Sequence, residues 1–319
     1  MPFKHNATRR DKFEKAKYRV MNWPEYNEAL RQRGDVTVWF SEDAVSGWCA
    51  PRSGKRGGQR QYSDLAIETC LTLRVVFGLP LRQTQGFARS LLRLMQIDVP
   101  VPDFSTICRR AQLLRIAPKT WSTSGPVTLI ADSTGLRVHG GRDWMQEKHG
   151  LPKARKTWRK LHIGFDPESG ELVASCLTNE HVGDAGALPE LLADLAGPVH
   201  RFIGDGAYDG APTTATIRQV LGSDVELIVP PPKNAVPGDC KTRDAHIDMI
   251  AKRGRMAWQK ATGYGKRSRG EAQIGRYKPV IGPELRSCKL ETQTTETKIA
   301  VKTLNRMTHL GRATYERVA

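Results

Sequence analysis

The 319-residue sequence predicts an α/β fold, a mixed sheet with flanking helices, preceded by a helical region. Three observations carry that reading. Short apolar runs rich in β-branched residues recur after Gly125, as buried strands require. Helix-spaced leucines lie between them, and strands alternating with helices argue for an α/β sheet. The residues before Gly125 read as helical instead. The boundary is placed between 124 and 125, with a helical region over 1–124 and the α/β domain over 125–319.

In the first region Ser63 is a candidate N-cap for a helix with apolar positions at Leu65, Ala66, Cys70, Leu73 and Val76–Phe77. Gly78 and Pro80 punctuate the chain, and Phe87, Leu91 and Leu94 mark a second amphipathic helix. Pro100 and Pro102 break it. Asp103 or Ser105 then caps a third helix, which carries the Arg109–Arg110 pair and runs until Pro118. Short helices joined by tight turns, the last one basic, resemble a helix-turn-helix DNA reader, although any small helical bundle gives a similar pattern.

In the second region Val127–Ala131 reads as a buried strand ending at Asp132, and Leu136–Val138 as another. Leu161–Phe165 and Leu172–Leu177 form a hairpin around the turn at residues 166–170. Asp184 is placed as the cap of a helix carrying Leu188, Leu191, Leu192 and Leu195. Arg201–Gly204 is a short strand ending at Asp205, followed by a helix at Thr213–Leu221 and a strand at Val225–Val229. Pro230–Lys260 is rich in proline and lysine, and a basic helix around Glu271 follows.

The charge narrows the partner. Fifty Lys and Arg against 33 Asp and Glu give a net charge of +17, which favours a polyanion, nucleic acid before an acidic membrane surface. No apolar run approaches the roughly 20 residues of a membrane span. The charged N-terminus lacks a secretory core, and the six scattered cysteines give neither a zinc pattern nor a disulfide framework. These features together indicate a reducing cytoplasm.

Three acids stand out against that basic background. Asp132 and Asp205 each follow an apolar strand and are followed by small residues, which leaves room for a metal or a phosphate. Each could equally be a turn or cap residue. Between Lys252 and Lys278 there are nine basic residues, and Glu271 is the sole acid. Ser268-x-x-Glu271 also fits a capping box, so Glu271 has a local alternative to metal binding. Tyr264, Arg267, Glu271 and Lys278 are spaced to share one helical face. Carboxylates on rigid elements suit Mg²⁺, and two such ions roughly 4 Å apart serve an in-line displacement at phosphorus.

The arrangement Tyr264-x2-Arg267-x3-Glu271-x6-Lys278 resembles the signature of DDE transposases of the insertion-sequence four and five superfamily. Asp132-Ser-Thr-Gly135 is similar to that family's motif around its first aspartate, and Asp205-Gly-Ala-Tyr-Asp209 to the motif around its second. Further likeness lies at Asn22-Trp-Pro-x-Tyr26-Asn27, Leu30-Arg-Gln-Arg-Gly-Asp35, Trp158-Arg-Lys-Leu-His162 and Lys302-Thr-Leu-Asn305, and it points to the insertion-sequence five family.

The resemblance implies an RNase H-like catalytic domain with a five-stranded sheet. It implies catalysis and metal binding by Asp132, Asp205 and Glu271, with two Mg²⁺ ions replaceable by Mn²⁺. Tyr264, Arg267 and Lys278 are expected at phosphates, and Arg109 and Arg110 at DNA in the helical region. The implied partners are terminal inverted repeats and target DNA, held by at least a dimer on paired ends on the bacterial nucleoid. The basic stretch Arg137–Lys160 could line the DNA groove or be a solvated loop, and Trp158 could stack on a base or belong to the core. His162 is read as structural. Asp166 is assigned to its turn, Asp184 to its cap, and Asp209 is a spare acid.

Overall fold

The computed structural model describes residues 17–52, 54, 56–116, 125–139, 157–238 and 240–318. These fall into two compact units, one built from the residues up to Val38 with those from Arg306 onward, the other from Trp39–Asn305. Pro118 and the middle of the basic stretch 137–160 lie outside the described residues.

In the smaller unit, strand β1 (Tyr18–Val20) pairs antiparallel with β8 (Tyr315–Arg317), and helix α1 (Trp23–Gln32) follows β1. Asn22 explains its own motif. Its Nδ2 donates to the Arg312 carbonyl at 3.0 Å, and its Oδ1 accepts from the Thr314 amide at 2.8 Å. One side chain thus ties the two ends of the described chain together. Gly311 has φ +145°, and a Cβ there would stand 2.8 Å from the Ala29 Cβ, so both conformation and space call for glycine. Helix α2 (Val36–Trp39) stands at the unit boundary.

The larger unit begins with α3 (Glu42–Ser46), α4 (Asp64–Val76), α5 (Leu81–Leu94) and α6 (Phe104–Ala111). Ser63 Oγ accepts from the Ala66 amide at 3.1 Å, and Asp103 Oδ1 accepts from the Ser105 and Thr106 amides, so both expected caps form. Of the two candidates for α6, Asp103 is the cap. Leu94, placed on an apolar face by its spacing, is 79% exposed. Helix α4 packs against both α5 and α6, with Ile67, Leu73, Leu92 and Ile107 fully buried.

The sheet has six strands among the described residues, in the order β4-β3-β2-β5-β6, with a two-residue β7 pairing the far end of β2. These are β2 (Val127–Val138), β3 (Trp158–Phe165), β4 (Leu172–Asn179), β5 (Val199–Ile203), β6 (Glu226–Ile228) and β7 (Glu284–Leu285). Strands β3 and β4 run antiparallel to their neighbours, while β5, β6 and β7 are parallel, so the sheet is mixed. Where the sequence reads two strands around Asp132, one 12-residue strand runs straight through it. Antiparallel pairing with β3 runs from Ile130 to Arg137 and carries the strand across the polar residues, while β5 and β7 pair with its two ends on the other side.

Helices α7 (Asp184–Ala193) and α8 (Ala211–Leu221) cover one face. Leu129, Ala131, Cys176 and Phe202 from the sheet meet Leu188, Leu191 and Ile217 there. Each such leucine contributes about 1.5–3 kcal/mol by leaving water. Asp184 does not cap α7, contrary to expectation. Gly183 is the cap residue, and the Asp184 side chain is spent elsewhere.

The segment rich in proline and lysine holds a helix the sequence did not reveal, α9 (Lys241–Thr262), kinked at Gly254 with φ +81°. A 3₁₀ turn (Tyr264–Arg267), α10 (Ser268–Val280) and α11 (Leu290–Leu310) complete the order. Asn305 on α11 holds the edge strand β4 like a missing neighbour. Its Oδ1 accepts from the Leu172 amide at 2.8 Å and its Nδ2 donates to the Leu172 carbonyl at 2.7 Å.

Candidate active site

Asp132 and Asp205 come together because two parallel strands share a register. Ile130 on β2 lies opposite Ile203 on β5, and each aspartate is two residues further on. Adjacent strands are about 4.8 Å apart and side chains repeat every second residue, so both carboxylates leave the same face. Arg267 stands between them, its Nη2 3.5 Å from Asp132 Oδ1 and 3.5 Å from Asp205 Oδ2.

Asp132 is half-buried, and burial raises its carboxyl above the usual range. The Ser133 amide, which donates to Asp132 Oδ1 at 2.9 Å, and Arg267 oppose that shift, while Asp205 and Asp184 add to it. Asp205 Oδ1 accepts from the Ala207 amide at 2.9 Å, which starts the short 3₁₀ turn at Gly206–Tyr208. Gly204 leaves no room for a side chain, since a Cβ would stand 2.7 Å from the Tyr208 ring.

Glu271 lies in the first turn of α10, and its side chain is exposed. Its neighbour Gly270 is buried against the site, where a Cβ would be 3.3 Å from Asp132 Oδ2 and 3.0 Å from the Phe165 ring. The backbone next to Glu271 therefore touches Asp132. The Glu271 carboxylate itself does not join the pair, and among the described residues no three His, Cys, Asp or Glu side chains are grouped to hold a metal. The capping box does not form either, because Ser268 Oγ donates to the Gly265 carbonyl. Nor does Arg267 pair with Glu271 along the helix. Its partners are the two distant aspartates.

Tyr264 and Arg267 belong to the 3₁₀ turn, with Glu271 and Lys278 on α10, so the four do not share one continuous α-helix. Gly263, with φ +69°, makes the turn into Tyr264. Tyr264 is half-buried, its ring centroid 5.1 Å from that of the fully buried Trp258. Trp258 Nε1 donates to His246 Nδ1 at 2.6 Å, and His246 Nε2 donates to the Leu227 carbonyl at 3.1 Å. Strand β6 thereby supports the signature turn through His246 and Trp258. Neither residue carries a local pattern that would have revealed this role.

The other candidates separate cleanly. Lys278 is half-buried. Arg109 is exposed and bonds within its own helix, to the Ser105 carbonyl and Thr106 Oγ1. Arg110 is engaged inside the helical cluster, paired with Asp64 and donating to the Tyr62 carbonyl at 3.0 Å. Asp209 receives Arg243 at 2.9–3.2 Å through both carboxylate oxygens, which makes it a structural acid. Asp166 accepts from the Ser169 amide in the hairpin turn, as expected. Trp158 is 40% exposed and lies across Gly135, outside the core.

Behind Asp132, on the opposite face of the sheet, Asp184 stands 3.1 Å from Lys160 Nζ and 3.1 Å from His162 Nδ1. Burial opposes its ionised form, but these polar neighbours outweigh burial and hold the carboxyl below the ordinary range. His162 is fully buried, with Nε2 2.9 Å from Thr178 Oγ1, and so is structural as read.

A mixed α/β sheet thus sets two aspartates side by side against the basic residue Arg267. Comparison with known families makes the assignment specific. Two family models, each described as a transposase DDE domain, match residues 31–141 and 123–317. The second spans more than half of the chain, which belongs to the DDE transposase family and is a DNA-cleaving and DNA-joining enzyme. Such domains generally use divalent metal ions. No helix among the described residues is long and apolar enough to cross a membrane.

Proposed function

We propose that this transposase, of the insertion-sequence five family, binds the terminal inverted repeats of an insertion sequence, frees a 3′-OH at each end and joins it to target DNA. The observation that carries this reading is the pairing of Asp132 and Asp205 around one cationic nitrogen. Two carboxylates that need a positive charge between them, made of hard oxygen donors, suit a divalent ion. Asp132 and Asp205 would hold it, Mg²⁺ or Mn²⁺, two ions per site, and Glu271 would complete the set. When bound, the ions supply Lewis acidity to the oxygens of the scissile phosphodiester.

The protein's own residues prepare that chemistry. Arg267 balances the two aspartates in the metal-free chain and is then available to a phosphate, with Tyr264 and Lys278 as further phosphate contacts. Glu271 reaches the pair by turning its side chain from the first turn of α10, whose backbone already touches Asp132. Residues 1–124 serve as the end-binding region, helix-turn-helix-like in its α4–α6 helices, and 125–319 as the RNase H-like catalytic domain. DNA contact there is assigned to the exposed Arg109, since Arg110 is committed to Asp64. The active assembly is at least a dimer on paired ends.

The test uses the full chain, end DNA and Mg²⁺ or Mn²⁺. Asp132→Asn, Asp205→Asn and Glu271→Gln are expected to lose cleavage and strand transfer while end binding survives. Strand transfer near the wild-type rate by any of the three would overturn the assignment.

A further inference from the structure

We infer that Asp209 and Arg243 are positioning residues that fix the turn carrying Asp205, an inference that rests on the reading of Asp205 as a metal ligand.

The two aspartates are not held alike. Asp132 lies within the 12-residue strand β2 and is paired across to β3, whereas Asp205 lies beyond the end of β5. A single turn aims its side chain. Asp205 Oδ1 accepts from the Ala207 amide at 2.9 Å. The Tyr208 amide donates to the Asp205 carbonyl at 3.1 Å, and the Asp209 amide to the Gly206 carbonyl at 3.2 Å. Three residues of 3₁₀ helix have strained hydrogen bonds and little hold of their own. The direction of the Asp205 carboxylate therefore depends on what anchors this turn from outside.

Two consecutive side chains anchor it. The Tyr208 ring is buried and meets Phe202 edge-on, with centroids 5.6 Å apart. The Asp209 carboxylate is taken by Arg243, whose Nε donates to Oδ1 at 2.9 Å and whose Nη2 donates to Oδ2 at 3.0 Å. A two-pronged pair of this kind sets direction as well as distance. Nη1 of the same guanidinium donates to the Val236 carbonyl at 3.0 Å. The Asp209 side chain is only 10% exposed, so its charge depends on that partner.

The pair is as firm as the helix behind it. Arg243 lies in the first turn of α9, where the neighbouring Thr242 Oγ1 accepts from Arg218 Nη2 on α8 at 2.9 Å. Further along, His246 donates to the Leu227 carbonyl on β6, and Arg255 Nη2 donates to the Pro231 carbonyl at 2.8 Å. Helix α9 is thus pinned to α8, to β6 and to the chain that follows β6. Hydrogen bonds run without a gap from this helix through the guanidinium and the turn to the Asp205 carboxylate. Partners that orient metal ligands typically change metal affinity by about 10–100-fold when removed.

The experiment measures Mn²⁺ affinity by electron paramagnetic resonance, and end cleavage against Mn²⁺ concentration, for the full chain carrying Arg243→Gln, Arg243→Lys or Asp209→Asn. Thermal melts establish that each variant is folded at the assay temperature. Arg243→Gln and Asp209→Asn are expected to bind Mn²⁺ about 10-fold more weakly, with cleavage recovering at high Mn²⁺. Arg243→Lys keeps the charge but loses the fork, so it should fall between wild type and Arg243→Gln, and it tests the pair even if the other two do not fold. Glu226→Gln is the control, since it removes the Arg201–Glu226 ion pair between β5 and β6 without touching the turn, and it should bind Mn²⁺ as wild type does. Wild-type Mn²⁺ affinity in the folded Arg243 variants, or an equal loss in Glu226→Gln, would overturn the positioning role. Asp205→Asn keeps the two readings apart: if it retains wild-type Mn²⁺ affinity, the ligand assignment fails, whereas its loss beside unaffected Arg243 variants refutes the positioning role alone.

Discussion

Gly270→Ala puts two opposing effects in direct competition at the site. Alanine in place of a helical glycine normally stabilises by about 1 kcal/mol, because the unfolded chain loses freedom and the helix gains propensity. At Gly270 the new Cβ would meet Phe165 Cε1 at 3.0 Å, Phe165 Cζ at 3.2 Å and Asp132 Oδ2 at 3.3 Å. Phe165 is fully buried on β3 and has nowhere to retreat. Overpacking of this kind costs about 1–3 kcal/mol. The cost exceeds the gain, and a net destabilisation of about 1 kcal/mol is expected. Gly275 is the internal control, on the same helix, exposed and with nothing within 4 Å of where an alanine methyl would sit, so Gly275→Ala should stabilise by about 0.5–1 kcal/mol. Urea unfolding should show the two midpoints moving in opposite directions at an unchanged slope. Gly270→Ala should also slow end cleavage, because α10 must lift from Asp132. If Gly270→Ala stabilises as much as Gly275→Ala, then α10 is not seated on Asp132, and the route by which Glu271 joins the site is refuted.

Three further predictions concern separate parts of the molecule. Arg267→Met removes the cation shared by Asp132 and Asp205. Its attraction, taken near the aqueous limit because Asp205 is 37% exposed, is about 1 kcal/mol, so Mn²⁺ should bind the metal-free chain about 5-fold more tightly. Weaker Mn²⁺ binding in calorimetry would show that arginine and metal do not compete. Burial lowers the His246 pKa, so the unfolded chain takes up this proton first, and stability is present above about pH 6.5 and lost as pH falls below it. His246→Gln should flatten that part of the melting-temperature profile between pH 7.5 and 5.5, and an unchanged slope would count against the His246–Trp258 support. Asn305→Ala leaves the buried amide and carbonyl of Leu172 unpaired and should cost about 2–3 kcal/mol in urea unfolding; a loss under about 0.5 kcal/mol would mean that β4 is not held there.

Local chemistry was legible in the sequence wherever a residue acts on its immediate neighbours. The caps at Ser63 and Asp103, the turn at Asp166 and the strands before the two aspartates follow from short-range hydrogen bonding and apolar runs. The misreadings have a common cause, which is a partner far away in the chain. Asp184 had the position of a cap but stands against Lys160 and His162. Arg110, expected at DNA, has an intramolecular partner as well, Asp64, 46 residues before it. Polar residues at 132–135 suggested a break in β2, which pairing with β3 bridges. Helix α9 escaped notice because prolines crowd the chain just before it and a kink at Gly254 interrupts its pattern.

The central claim is that Glu271 joins Asp132 and Asp205 around a divalent ion when DNA is bound, and a change of donor atom tests it most directly. Glu271→Cys replaces a hard oxygen by a soft sulfur, which Mg²⁺ binds poorly and Mn²⁺ or Cd²⁺ accept. With end DNA bound, the variant should be inactive in Mg²⁺ and regain cleavage in Mn²⁺ or with added Cd²⁺. Cleavage at the wild-type rate in Mg²⁺, or no recovery in any metal from a folded, DNA-bound variant, would contradict the account.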